Sequence, residues 1–242
     1  ADGSQNYFVG VDSAQVELTY SGSKKFATTS TGIDVTGTAV TDGLTVAGNV
    51  SVDSGTIKLD GNYPTGTNNA AIGNVALTAN TSGSANVAVG HDAMSANTTG
   101  ANNVSMGRSA LATNTTGGNN TALGHNALLV NTTASNNTAV GYQAGFSNTT
   151  GAANATVGKD SLRANTTGSN MAVLGDSAAY SNTSGTDAVA VGAGSLYANT
   201  TGNYNVAVGR EALNQNTTAS NNTAVGYQAG YSNTTGAITA FG

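Results

Sequence analysis

From Asn69 onward, one pattern of apolar and polar positions recurs every 17 residues. Each repeat contains a glycine that closes a run such as "NVAVG": Gly73, Gly90, Gly107, Gly124, Gly141, Gly158, Gly175, Gly192, Gly209 and Gly226. Counting from that glycine as zero, position −1 is Ile72, Val89, Met106, Leu123, Val140, Val157, Leu174, Val191, Val208 or Val225, always aliphatic or Met. Such a file is expected to face a core. Position −3 is Ala, Val or Thr and −2 is mostly Ala. Residues two apart on a strand share a face, so −3 and −1 are predicted to point the same way on a short strand. Position +3 is always Ala or Ser, and +4 is Leu or Met in seven of the ten repeats. That pattern predicts a second strand over +1 to +5, with the glycine supplying a backbone angle that a Cβ forbids.

The rest of the repeat is "NTTG" or a close variant, which is turn chemistry. Its first residue is Asn in all ten repeats: Asn80, Asn97, Asn114, Asn131, Asn148, Asn165, Asn182, Asn199, Asn216 and Asn233. Two short strands and two turns per rung, stacked about 4.8 Å apart, make an all-β, parallel β-solenoid. A helix is excluded, because 17 does not fit a 3.6-residue period and no caps bound a long apolar stripe. The 15-residue stretch "NTTASNNTAVGYQAG" occurs at 131–145 and 216–230, 85 residues apart, so five rungs have been duplicated. A solenoid lengthens by copying rungs.

Three rungs carry Gly145, Ala179 or Gly230 at +4, each followed by an aromatic, Phe146, Tyr180 or Tyr231. Compensation of core volume by those aromatics is the expectation. Even so the core is thin, and a lone solenoid would be marginal. Association with further copies of the chain is expected, with the alanines at −2 and +3 allowing close approach.

Residues 1–65 follow a different pattern. "QVELTY", "SGSKKFATT", "GIDVTG", "GLTVAG" and "GTIKLDG" read as short strands with Gly or Ser turns. The only proline, Pro64, stands just before the repeats. This places a fibrous, strand-rich connector at 1–65 and the solenoid at 66–242.

Composition narrows the function. Charged residues make up 8% of the 242 residues and the net charge is −5, so no basic surface exists for a phosphate backbone and nucleic acid is not expected as a partner. There is no cysteine for a disulfide framework and no apolar run long enough for a membrane helix. The chain starts at Ala1, which fits a processed secreted protein or a piece of a longer one.

The rungs "ANVAVGHDAM" and "NNTAVGYQAG" resemble the head repeats of trimeric autotransporter adhesins. "GIDVTGTAVTDGLTVAGNVSV" followed by such rungs is more similar still to bacteriophage tail-fibre proteins. The resemblance implies a left-handed β-roll that trimerises, located on a virion or outside a cell, and a host-surface receptor such as a glycan. The chain departs from the adhesins in its longer 17-residue period. It shows neither their membrane-anchor barrel nor the self-cleaving chaperone of many phage fibres. Gly242 comes one residue early for a further rung.

Candidate chemistry is sparse, and no catalytic residue, metal or cofactor is expected. His91 and His125 both sit at +1, two rungs and so roughly 10 Å apart, too far to share a proton or a metal. Asp160, Asp176, Asp187 and Glu211 are scattered over rungs and faces, unlike a glycosidase pair. No calcium-binding nonapeptide occurs. Adjacent threonines such as Thr98 and Thr99 are expected on opposite faces, which argues against an ice-binding ladder.

Every ladder asparagine begins an N-x-[ST] acceptor, and Asn49, Asn103, Asn119, Asn136, Asn154 and Asn221 add six more. A glycosylated filament polymerising end to end is therefore the alternative to a tail-fibre or adhesin shaft. It requires the ladder asparagines to point outward. The alternative for the asparagines themselves is a stack of hydrogen-bonded turns. Tyr142 and Tyr227 are the candidate surface contacts.

Overall fold

The architecture was read from a computed structural model, which describes residues 7–11, 15–20, 23–29, 32–35 and 66–242. The chain divides into two units, Ala1–Ile57 and Lys58–Gly242. In the first unit, β1 (Tyr7–Val11), β2 (Gln15–Tyr20), β3 (Ser23–Thr29) and β4 (Gly32–Val35) form an antiparallel meander in chain order. Short apolar alternation broken by Gly and Ser gives this result. "GLTVAG", "GTIKLDG" and the boundary at Pro64 lie outside the described residues.

The second unit is a parallel solenoid. Eleven three-residue strands, β5 (Ala70–Ile72), β6 (Val87–Val89), β7 (Val104–Met106), β8 (Thr121–Leu123), β9 (Thr138–Val140), β10 (Ala155–Val157), β11 (Ala172–Leu174), β12 (Val189–Val191), β13 (Val206–Val208), β14 (Thr223–Val225) and β15 (Thr239–Phe241), stack in one sheet in chain order. Each residue pairs with its counterpart one rung away, as in Val189↔Val206 and Val191↔Val208. The last pairing, Thr223↔Thr239, is 16 residues instead, so Ile238 occupies the −4 place and Gly242 the glycine place.

Only one strand forms per rung. The strand expected at +1 to +5 is a turn, because +2 and +4 adopt left-handed backbone: Asp92 (φ 59°) and Met94 (φ 49°) in one rung, Asp160 (φ 52°) and Leu162 (φ 49°) in another. That conformation costs an L-residue about 1–2 kcal/mol. Its effect here is to alternate the direction of the backbone amides. The Asp92 N–H donates to the Asn74 carbonyl of the preceding rung, while the Leu77 N–H donates to the Ala93 carbonyl of the following one. Stacking therefore continues through the turn without a strand. Hydrogen bonds from +3 to 0, such as Ala93 N–H to the Gly90 carbonyl, close the bend within the rung.

The strand faces the opposite way from the expectation. The −2 alanines point inward and are fully buried from Ala88 to Ala224, whereas Ile72 and Leu174 at −1 are each 51% exposed and Met106 is 47% exposed. The alanines at +3 and the Leu or Met at +4 join −2 inside, as Leu111, Leu128 and Leu213 show. The small residues are thus the chain's own core and are unavailable for approach by another copy. The aromatics at +5 do not replace the missing +4 leucines either: Phe146, Tyr180 and Tyr231 are only partly buried and lie outside the core clusters. The space at Gly145 is taken by Leu128 and Thr156, and that at Gly230 by Leu213 and Ile238. Met171 and Val173, larger than the usual residues at −4 and −2, pack in the same cluster as Ala179.

The zero glycine is required on two counts. Gly124 has φ 138°, and a Cβ there would lie 2.4 Å from the backbone oxygen of Gly141. Gly124→Ala is expected to lower the unfolding free energy by at least about 3 kcal/mol, since neither neighbour can move alone. Ser105, at −2 in β7, is fully buried and its hydroxyl has no partner. Ser105→Ala, which restores the residue of most rungs, is expected to stabilise by about 1 kcal/mol. Urea unfolding of the two variants checks these opposite signs.

Candidate functional site

Much of the solenoid's interior is polar. The ladder asparagines at +7, which begin each "NTT", turn inward rather than outward. Asn97, Asn114 and Asn131 have no exposed surface. The Asn114 amide donates from Nδ2 to Oδ1 of Asn97 at 2.8 Å and to the Gly117 carbonyl at 3.0 Å. The same pair of bonds recurs from Asn97 through Asn216.

A second asparagine file lies at −4. Asn103 donates from Nδ2 to the Gly117 carbonyl at 2.9 Å, and its Oδ1 accepts the Asn120 backbone N–H at 2.8 Å. One +10 carbonyl thus takes two amide donors from opposite sides of the rung. This file is interrupted at Met171 and Ala188 and resumes at Asn205 and Asn222.

The +8 threonines form a third file. The Thr98 hydroxyl donates to the Thr115 carbonyl at 2.9 Å beside the Thr98 N–H to the same oxygen. The +9 residue, Thr99 in that rung, is exposed. Adjacent threonines do part company, but the +8 hydroxyl is used within the fold.

These positions correct the glycan expectation on a physical ground. From Asn80 to Asn216 the ladder asparagines are at most 2% exposed, and their amides are engaged inside the rod. Asn233 is partly exposed, though its Nδ2 donates to the Gly236 carbonyl at 2.8 Å. Of the other six acceptors, Asn103 and Asn154 are buried, Asn49 lies outside the described residues, and Asn119, Asn136 and Asn221 are exposed at +12.

The remaining candidates are separate surface features. Tyr142 and Tyr227 are 46% and 62% exposed at +1, five rungs apart, so they form no continuous tyrosine file. Tyr142 meets the His125 ring edge-on at 5.5 Å between centroids. His91 places Nδ1 2.9 Å from the Asp92 carboxylate. Asp160 is held by Lys159 at 2.6 Å and lies 3.5 Å from Arg163. A hydrogen bond to Asp160 raises the exposed Lys159 ammonium above its ordinary pKa. Asp187, at +12, accepts a hydrogen bond from Asn170 at 3.1 Å. Asp176 and Glu211 border one surface opening, of which Asp160 and Asp187 are not part, and among the described residues no three metal-ligating side chains cluster.

Sequence reasoning missed one extended surface feature. The −3 and −1 side chains of β5 to β14 are all partly or fully exposed and carry no charge. They form an apolar −1 file and a −3 file of Ala, Val and Thr, each about 48 Å long at the spacing of stacked strands.

Comparison with family models, with curated proteins and with solved structures finds no match to this chain.

Two outcomes follow from the ladders. Asn114→Ala removes the acceptor of Asn131 and one donor to the Gly117 carbonyl, both buried. It is expected to cost at least about 2 kcal/mol by denaturant unfolding, since an orphaned buried polar group costs about 1–3 kcal/mol. If the chain is produced in a cell that attaches N-linked sugars, glycopeptide mass spectrometry of the folded protein should find them on Asn119, Asn136 and Asn221. The ladder from Asn80 to Asn216 should be bare.

Proposed function

We propose that the solenoid is a shaft segment of a virion or extracellular fibre, of the tail-fibre or adhesin kind, that self-associates as a trimer and supports attachment to a host or other surface. The work assigned to it is spacing and stiffness rather than catalysis. Identical rungs in strict register are a means of making length. The exposed apolar strand face carries the self-association. At about 48 Å by 10 Å it measures roughly 500 Å² per chain, at the upper end of the apolar patches monomers leave uncovered. It is rimmed by the polar +1 and +12 positions, the pattern of an interface core within a polar border. The rival reading of a sugar-coated filament draws less support, because the proposed attachment rail is turned into the core.

Native mass spectrometry tests the proposal. The expected species is three times the 23.6 kDa chain. The double variant Val140→Asp, Val157→Asp places two carboxylates on the strand face without touching the interior. It should run as a monomer with an unchanged circular dichroism spectrum. A wild-type chain that stays monomeric at micromolar concentration sinks the self-association.

A further inference from the structure

The file at +5 departs from the repeat in the middle of the rod. Phe146, Arg163, Tyr180 and Tyr197 stand there on consecutive rungs. The Arg163 guanidinium lies 5.3 Å from the Phe146 ring centre and 5.6 Å from that of Tyr180. Tyr180 and Tyr197 are stacked, with centroids 5.2 Å apart and planes 12° from parallel. One stack thus runs along the axis for four rungs and then stops, because the next +5 residue is Asn214. Its side chain is nearly buried and donates from Nδ2 to the Gly194 carbonyl at 2.9 Å.

The surface is notched at the same place. Positions +1 and +2 carry side chains beyond Ala in every rung except one, where Ala193 and Gly194 stand. The missing atoms leave an opening of about 350 Å³ bordered by Tyr197, Asp176, Arg210, Glu211 and Asn214. Tyr197 is 38% exposed. Tyr197 borders the opening and its stacking partner Tyr180 does not.

We propose that this notch is a binding site for a single neutral sugar ring, which completes the aromatic stack where Asn214 leaves it unfinished. This rests on the reading of the rod as an attachment fibre and names the site through which it would attach. An aromatic face suits the C–H face of a pyranose, and the polar border suits its hydroxyls. Asp176 and Glu211 only accept hydrogen bonds, Arg210 only donates, and Asn214 and neighbouring Gln215 do both. Hydroxyl groups, which donate and accept at once, match such a mixed rim. The notch is at the small end of ligand pockets, about 300–1,000 Å³, which suits one ring and not a chain of them. Two carboxylates against one guanidinium, itself 3.4 Å from Glu211, disfavour an anionic sugar.

Saturation-transfer NMR on the full chain, with glucose, N-acetylglucosamine and glucuronic acid as probes, tests the site. Ring-proton signals are expected for a neutral sugar and not for glucuronic acid. Gly194→Gln fills the notch with the side chain that Gln143 and Gln228 already place at +2, with similar φ. A Cβ at Gly194 meets nothing closer than 3.4 Å, so the rod should fold as before. That variant should lose the signal, and Tyr197→Ala should weaken it about tenfold, as loss of one good ring contact does. No signal from either neutral sugar, signals equal for glucuronic acid, or an undiminished signal in Gly194→Gln overturns the proposal. Native mass on the same samples reads the fibre proposal separately. A bare trimer that binds no sugar removes only the notch, whereas a monomer that binds sugar removes only the fibre.

Discussion

A buried backbone carbonyl must have a hydrogen-bond partner, and this rod meets that demand with asparagine side chains. From Gly83 to Ala219 the +10 residue of each rung is buried, out of reach of water. Where both files are present it is held by an amide from each side, as Gly117 is by Asn103 and Asn114. From Asn97 onward each +7 amide spends its second hydrogen on the rung before it. The bonds within a rung and the bonds between rungs therefore come from the same groups. An inserted residue would break both at once and leave several buried polar atoms unpaired. That accounts for a register kept at 17 residues up to Asn222, with one residue lost only in the final rung.

The period and the parallel solenoid were legible because stacking repeats the same demand at the same place. The side of the strand was not. A three-residue strand offers one inward and two outward positions, and a shift of one residue exchanges them. Valine at −1 against alanine at −2 argues for valine inside if burial of bulk decides. In this rod the interior is narrow and already holds Leu or Met at +4 and two asparagines. Only a methyl group fits at −2 in most rungs, and Val173 enters where Ala179 makes room.

The asparagines were read as turn residues because Asn does favour turns. A usable signal was present. Position +9 varies between Thr and Ser and +10 between Gly and Ala, while +7 is Asn in every rung. A solvated turn would accept Asp, Ser or Gly there. Only a primary amide both donates two hydrogen bonds and accepts one in a file of its own kind. The left-handed backbone at +2 and +4 had no such signal, since Leu and Asp are ordinary strand or turn residues by composition. It is imposed by stacking, which needs the amides at those places aimed along the axis.

The direction of the side-chain files has an electrical consequence. Asparagine amides donate toward the N-terminal end, from Asn114 to Asn97, while threonine hydroxyls donate toward the C-terminal end, from Thr98 to Thr115. The backbone amides of the turn alternate in the same way. An α-helix sums its peptide dipoles into partial charges at its two ends. Here the opposed files offset one another within each rung. Rungs can therefore be added by duplication, as the five-rung copy was, without fixing opposite partial charges at the two tips.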